Sequence, residues 1–218
     1  WILMTFSGML PYLLTDVFSD VSGAFFETMS GYTTTGSSAL ADIEVVPKGV
    51  LFWRSTTHWI GGMGIIVLAI AILPLLGIGG MQLFTAEAPG PSSDKLHPRI
   101  TDTAKRLWFI YVGFTVVETL MLWAAGMSLF DAINHAMSTV STGGFSTKNT
   151  SVSFWNDQPL IQYIILVFMF LAGVNFVLSY FAFTGQIKRL FRDEEFRFYS
   201  RMILICSTVV ALVLTLNV

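Results

Sequence analysis

Charged residues are missing from long stretches of the chain: 1–15, 55–86, 158–187 and 202–218 carry none, and 107–130 carries only Glu118. Each middle stretch exceeds the about 20 residues a helix needs to cross a hydrocarbon core of about 30 Å. A soluble helix of that length presents a polar face, and these do not. The pattern predicts five membrane segments, roughly 1–14, 51–76, 105–126, 160–184 and 199–218. The predicted fold is an all-α polytopic membrane protein.

Composition agrees. The 218 residues are 54% hydrophobic and 12% charged, against about 25% charged in soluble domains. Twelve Lys+Arg against fourteen Asp+Glu leave no basic excess to neutralise phosphates, which excludes nucleic acid as a main partner. A single cysteine, Cys206, excludes an internal disulfide framework and a cysteine-based zinc cluster. The chain opens on Trp1-Ile2-Leu3-Met4 and closes on an apolar run ending at Val218, with no basic leader and cleavage site. The expectation is a fragment of a longer membrane protein.

Basic residues set the orientation. Lys95, Arg99, Lys105 and Arg106 lie in 87–106, and Lys188, Arg189, Arg192, Arg197 and Arg201 in 188–201. Segments 16–54 and 131–157 hold only Lys48, Arg54 and Lys148. The positive-inside rule places the first pair of segments in the cytoplasm and the second pair outside.

Both outer segments hold a short, half-apolar stretch followed by small hydroxyl residues. Ala24 to Ser30 leads into Gly31-Tyr32-Thr33-Thr34-Thr35-Gly36-Ser37-Ser38; Ala132 to Ser138 leads into Thr139-Val140-Ser141-Thr142-Gly143-Gly144-Phe145-Ser146. These stretches are too short to span, and read as re-entrant pore loops, whose irregular backbone is tolerated at membrane depth only where protein buries it or a polar cavity receives it. Pairing residue n with n+108 matches Ala24/Ala132, Met29/Met137, Ser30/Ser138, Thr34/Thr142, Gly36/Gly144 and Ser38/Ser146 without a gap. In the following helices Gly62 and Gly173 correspond after a three-residue insertion. The chain therefore reads as two copies of helix, pore loop, helix.

Such a loop suits a dehydrated monovalent cation. Backbone carbonyls replace the ion's water, glycine accepts the backbone geometry, and the short helix directs its negative C-terminal end at the ion. Thr34-Thr35-Gly36 and Thr142-Gly143-Gly144 supply the residue types.

The run Ser30-Gly31-Tyr32-Thr33-Thr34-Thr35-Gly36 resembles the first filter loop of the Trk/Ktr/HKT superfamily of potassium transporters. The run from His58 to Ala69, containing Gly61-Gly62-Met63-Gly64, resembles the second helix of its first repeat in the TrkH branch, as do Gly79-Gly80-Met81-Gln82-Leu83 and Ala86-Glu87-Ala88-Pro89-Gly90-Pro91. Gly143-Gly144-Phe145-Ser146-Thr147 resembles the second filter loop, and Arg192-Asp193-Glu194-Glu195-Phe196-Arg197 the link to a third repeat.

The resemblance implies four M1–pore loop–M2 repeats around one pore, two of them in this chain. Residues 1–80 would hold the end of the first M1, its pore loop and M2. Residues 81–104 would be a cytoplasmic linker, 105–187 the second repeat, and 188–218 a basic linker and the start of the third. It implies potassium uptake through a carbonyl-lined filter, not an enzyme, with K⁺ as transported ion and no cofactor. The filter residues carried over are Thr34, Thr35, Gly36, Ser37, Thr142, Gly143, Gly144 and Phe145, with K⁺ on the backbone carbonyls of Thr34, Thr35, Thr142 and Gly143. Because the second loop reads Thr-Gly-Gly, either Gly143 or Gly144 could be its filter glycine, and the ungapped alignment favours Gly144. Implied partners are membrane lipid, a second copy of the full-length protein and a cytoplasmic nucleotide-sensing ring. The implied location is the bacterial inner membrane, pore loops outside.

Other polar residues have structural readings. Glu118 is a functional candidate or, as the favoured reading, a helix-contact carboxyl; Glu27 attracts cations to the entrance or, as favoured, anchors its short helix; Asp16 and Asp20 begin that outer segment as caps and interface residues. Arg54 snorkels or pairs with Asp42 or Glu44, with a role in pore electrostatics as the lesser alternative. His58, His97 and His135 have no metal-site spacing. The glycines at 61, 62 and 64 allow close helix packing, and Pro74 with Gly77, Gly79 and Gly80 ends or kinks that helix. Asn149-Thr150-Ser151 is a formal glycosylation sequon. Trp53, Trp59, Trp108, Trp123 and Trp155 fit interfacial anchoring. Two competing functions are a Na⁺-permeable transporter of the same build and an intramembrane enzyme using His58 and Ser179.

Overall fold

The computed structural model describes residues 1–72, 96–183 and 185–216. Among them every regular element is helical. In chain order these are α1 (Ile2–Gly8), α2 (Leu10–Leu14), α3 (Val21–Tyr32), α4 (Lys48–Ile72), α5 (Leu96–Ala124), α6 (Leu129–Val140), a 3-10 turn at Ser151–Trp155, α7 (Pro159–Ala172), α8 (Phe176–Phe183), α9 (Ile187–Arg192) and α10 (Glu194–Leu216). Two compact units result, Trp1–Ala172 and Gly173–Val218.

In the first unit the two short helices α3 and α6 are the inner elements. Helix α3 packs on α1 and α4, and α6 on α4, α5 and α7. Each starts on a polar cap. The Asp20 carboxylate accepts the Gly23 N–H at 2.6 Å; the Ser128 hydroxyl accepts the Asp131 N–H at 3.1 Å. Such caps satisfy donors that the first helical turn leaves open. An apolar cluster of Tyr12, Ala24, Val46, Val50 and Leu51 holds the base of α3. On the other side Ile161, Ile164, Ile165 and Phe168 form the buried face of α7, where Phe168 meets Phe114 of α5 edge-to-face at 6.2 Å. The α4 glycines bring neighbours close, as expected: Gly61 lies against the Tyr32 carbonyl and Gly62 against Ser141.

Three boundaries differ from the expected ones. The 1–14 segment divides between α1 and α2, where Pro11 sits in the first turn of α2 and has no N–H to continue the ladder. The 160–184 segment divides at 173–175: α7 ends before Gly173, and the Asn175 carbonyl receives the Ser179 N–H at 3.1 Å to open α8. Glycine weakens a helix interior and Asn favours its start; hydropathy registers neither. Residues 96–104, expected as linker, are already helical, because Pro98 falls in the first turn, where its missing N–H costs nothing. The expected helix end at Pro74 and the glycines 77, 79 and 80 lie outside the described residues.

Among the described residues two helical stretches are long and apolar enough to cross a membrane, Lys105–Ala124 and Glu194–Thr215. Beyond Arg201, helix α10 carries no charge and is exposed: Leu204, Ile205, Val210 and Leu214 are each more than half accessible.

Candidate functional site

The two outer loops have the same backbone. Helix α3 spans Val21–Tyr32 and α6 spans Leu129–Val140, each limit displaced by 108. The hydrogen bonds that turn the chain out of each helix also correspond. Thr33, Thr34 and Thr35 donate their N–H groups to Met29, Gly31 and Ser30; Ser141, Thr142 and Gly143 donate theirs to Met137, Thr139 and Ser138. The left-handed positions correspond as well: φ is +54° at Thr34 and +57° at Thr142, +78° at Gly36 and +88° at Gly144. A β-branched residue with positive φ is a steric outlier, and here it occurs twice at equivalent places.

The loops also meet. The Gly143 carbonyl oxygen lies against Gly36, so closely that a Cβ on Gly36 would overlap it. Among the described residues the carbonyls of Thr34, Thr35, Thr142 and Gly143 accept no hydrogen bond. The Ser37 carbonyl, by contrast, accepts the Ser30 hydroxyl at 2.6 Å. Phe145 is buried at 3% exposure, its ring stacked on His58 at 3.7 Å. Beside the second loop lies a cavity of about 400 Å³ lined by His135, Ser138, Thr142, Gly144, Ile165 and Met169 among others.

Among the side chains that tie each loop back to its own helix, one pair stands 108 apart, Glu27 and His135. Glu27 accepts from the Ser38 hydroxyl (3.0 Å) and the Ala39 N–H (2.7 Å). His135 holds Ser146 through Nε2 at 3.0 Å, while its Nδ1 lies 2.8 Å from the Asp131 carbonyl. A carbonyl only accepts, so Nδ1 carries the proton and Nε2 accepts from Ser146. Burial holds the His135 imidazole below its usual pKa, which keeps it neutral. Anchoring, the role expected for Glu27, is what its contacts show.

The family described as "TrkH: Cation transport protein" matches residues 1–218. The chain belongs to the TrkH family. It is 46% identical over 216 residues to the Trk system potassium uptake protein TrkH of Salmonella typhimurium, covering 96% of this chain and 44% of that one. The Escherichia coli K12 protein of the same name is 45% identical over the same length and coverage. The crystal structure of the potassium transporter TrkH from Vibrio parahaemolyticus superposes with a TM-score of 0.78 at 42% identity, over 90% of this chain and 40% of that one. The chain thus spans about 44% of the length of these curated TrkH relatives.

Several side chains in this TrkH-family unit sit differently from their sequence readings. Arg54 pairs with Glu27 at 2.6 Å, not with Asp42 or Glu44, which are engaged by Asn149 and Lys148. Asn149, read only as a sequon residue, also receives the Ile43 N–H at 2.8 Å and so stitches the two outer segments together. Its partners lie more than 100 residues away, and no local signal marks them. Trp53 and Trp59 donate into the fold, to the Gly8 carbonyl at 2.8 Å and the Thr115 hydroxyl at 3.0 Å. Trp155 is buried against His135. Only Trp108 and Trp123 of the five are exposed. Glu118 is fully buried, and neither of its carboxyl oxygens has a hydrogen-bond partner among the described residues. Among the described residues no group of three or more His, Cys, Asp or Glu is placed to hold a metal.

Proposed function

We propose that this chain supplies two of the filter loops of a membrane potassium-uptake protein, with K⁺ bound by the backbone carbonyls of Thr34, Thr35, Thr142 and Gly143. The observation that carries the reading is the duplicated loop. Two segments 108 residues apart adopt one backbone, converge at Gly36 and Gly143, and leave those four carbonyls without internal donors. A monovalent cation stripped of water needs such oxygens. Left-handed φ recurs at 34 and 36 and again at 142 and 144, with glycine, which accepts it at no steric cost, at the second place of each pair. The C-terminal ends of α3 and α6 add negative potential at the loops. The names of the relatives, potassium uptake proteins, support the choice of ion.

In this reading Lys105–Ala124 and Glu194–Thr215 cross a membrane, together with the remaining apolar helices, and α3 and α6 are re-entrant pore helices open to the outside. Residues 1–80 and 105–187 form two M1–pore loop–M2 repeats of an expected four, joined by a cytoplasmic linker and followed by a basic one leading to a third repeat. The location is a bacterial inner membrane. The full-length protein pairs with a second copy and meets a nucleotide-sensing ring on its cytoplasmic face. The protein is a transporter, not an enzyme. His58, considered above as a catalytic base, is instead stacked on Phe145 and hydrogen-bonded to Ser138 at 3.3 Å.

The test is rubidium uptake by vesicles carrying the full-length protein, with K⁺ or Na⁺ competing. Strong competition by K⁺ and weak competition by Na⁺ is expected. Equal competition supports the Na⁺-permeable alternative, and no uptake by folded protein contradicts conduction altogether.

A further inference from the structure

Arg54 stands at the junction of the two loops, and nothing in its local sequence predicts where it points. The residue is 2% exposed, and its side chain makes three contacts. Nε donates to Glu27 Oε1 at 2.6 Å, Nη1 donates to the Ser146 carbonyl at 2.9 Å, and the guanidinium lies over the Phe145 ring with its carbon 3.5 Å from the centroid. His58, one turn further along α4, stacks on the same ring at an interplanar angle of 9°. Glu27 meanwhile holds Ser38 and Ala39 at the exit of the first loop.

A continuous polar chain therefore runs from the first loop through Glu27 and Arg54 to the second loop at Phe145 and Ser146. Its components are charge-assisted, buried and geometrically selective, since a guanidinium fork can serve a carboxylate, a carbonyl and an aromatic face at once. Cutting one member leaves a buried charge without its partner.

The second repeat has no equivalent. Helices α4 and α7 begin at Lys48 and Pro159, which fits the three-residue insertion. Arg54 and His58 then correspond to Ile165 and Met169, both apolar and both on the wall of the 400 Å³ cavity. The clamp thus acts at one junction of a repeated structure.

Resting on the filter reading above, we infer that Arg54 is a positioning residue for ion selectivity. It sets the separation of the two loops, and hence of the carbonyls at Thr34, Thr35, Thr142 and Gly143, through Glu27 on one side and the Phe145–Ser146 backbone on the other. It does not touch the ion.

The test uses the full-length protein in proteoliposomes, with ⁸⁶Rb⁺ uptake measured against competing K⁺ and Na⁺. Arg54→Gln is expected to lower the K⁺-over-Na⁺ preference at least about tenfold, the change one charge-assisted hydrogen bond corresponds to. Glu27→Gln should lower it similarly. Lys148→Gln, which removes an equal charge from the exposed Glu44 pair, should leave it unchanged. A merely structural role would reduce the amount of active protein and both fluxes together, leaving the ratio intact. If Arg54→Gln does not fold, Arg54→Lys is read in its place. Lysine keeps the charge beside Glu27 but cannot also hold the Ser146 carbonyl and the ring, so an intermediate loss is expected. A parent-like ratio in a folded Arg54 variant, or an equal loss in Lys148→Gln, overturns the inference while leaving the filter reading standing. A parent protein with no K⁺ preference overturns both.

Discussion

At the scale of single residues, the two loop glycines are not equivalent despite their matched φ. At Gly36 a side chain meets both an unfavourable backbone angle and the Gly143 carbonyl; at Gly144 it meets open space. Gly36→Ala should therefore push the two loops apart and abolish K⁺ preference, while Gly144→Ala should keep uptake with a partial loss. Rubidium uptake with competing Na⁺ distinguishes the two, and equal effects would contradict the packing. Thr142 offers the opposite trade. A left-handed non-glycine residue costs roughly 1–2 kcal/mol, whereas glycine costs about 0.5–1 kcal/mol in lost chain freedom. Thr142→Gly is therefore expected to leave thermal stability unchanged or slightly raised while loosening the filter. A clear drop in melting temperature would show that the threonine side chain is itself holding the loop.

Helices α3 and α6 show what was legible at the scale of elements. Their existence, their loops and their offset of 108 could be read from the chain because each is a contiguous pattern of apolar, small and hydroxyl residues. The cap of α3 is written locally too, as Asp20; its equivalent on α6, Ser128, emerges from the structure. Asp20→Ala and Ser128→Ala should each lower the melting temperature, and by similar amounts, since the caps occupy equivalent places. The break between α7 and α8 was not legible, because a hydropathy average passes over Gly173 and Asn175 as if they were neutral. The anchors diverge in a way that has a pH consequence. Glu27 is fixed by a cation, whereas His135 is buried and neutral with its pKa lowered by burial. The unfolded chain binds a proton at His135 near pH 6.5 and the folded one only at lower pH. Stability from this site is therefore complete above about pH 6.5 and is lost as pH falls below it. Thermal unfolding between pH 8 and 5 should show the loss, and His135→Gln should flatten it.

Over the whole molecule, the first unit is held together by contacts that the sequence does not announce. Glu27 to Arg54, Arg54 to Ser146, and Asn149 to Asp42 and Ile43 join residues 27 to 107 positions apart. Asp42 and Glu44 are the acids nearest to Arg54 in the chain, but burial favours the acid whose geometry and desolvation are shared, and Glu27 is fully buried. Phe145, a residue of the second loop, offers its ring as the surface on which Arg54 and His58 rest. These are consequences of how α3, α4 and α6 pack, and packing is the step that local pattern leaves open. The central claim is that the carbonyls at Thr34, Thr35, Thr142 and Gly143 bind one ion path. Crystals of the full-length protein soaked in Rb⁺ test it directly through anomalous scattering. The account predicts an anomalous peak within coordination distance of carbonyls from both loops. Density confined to other places, with both loops ordered, would contradict it.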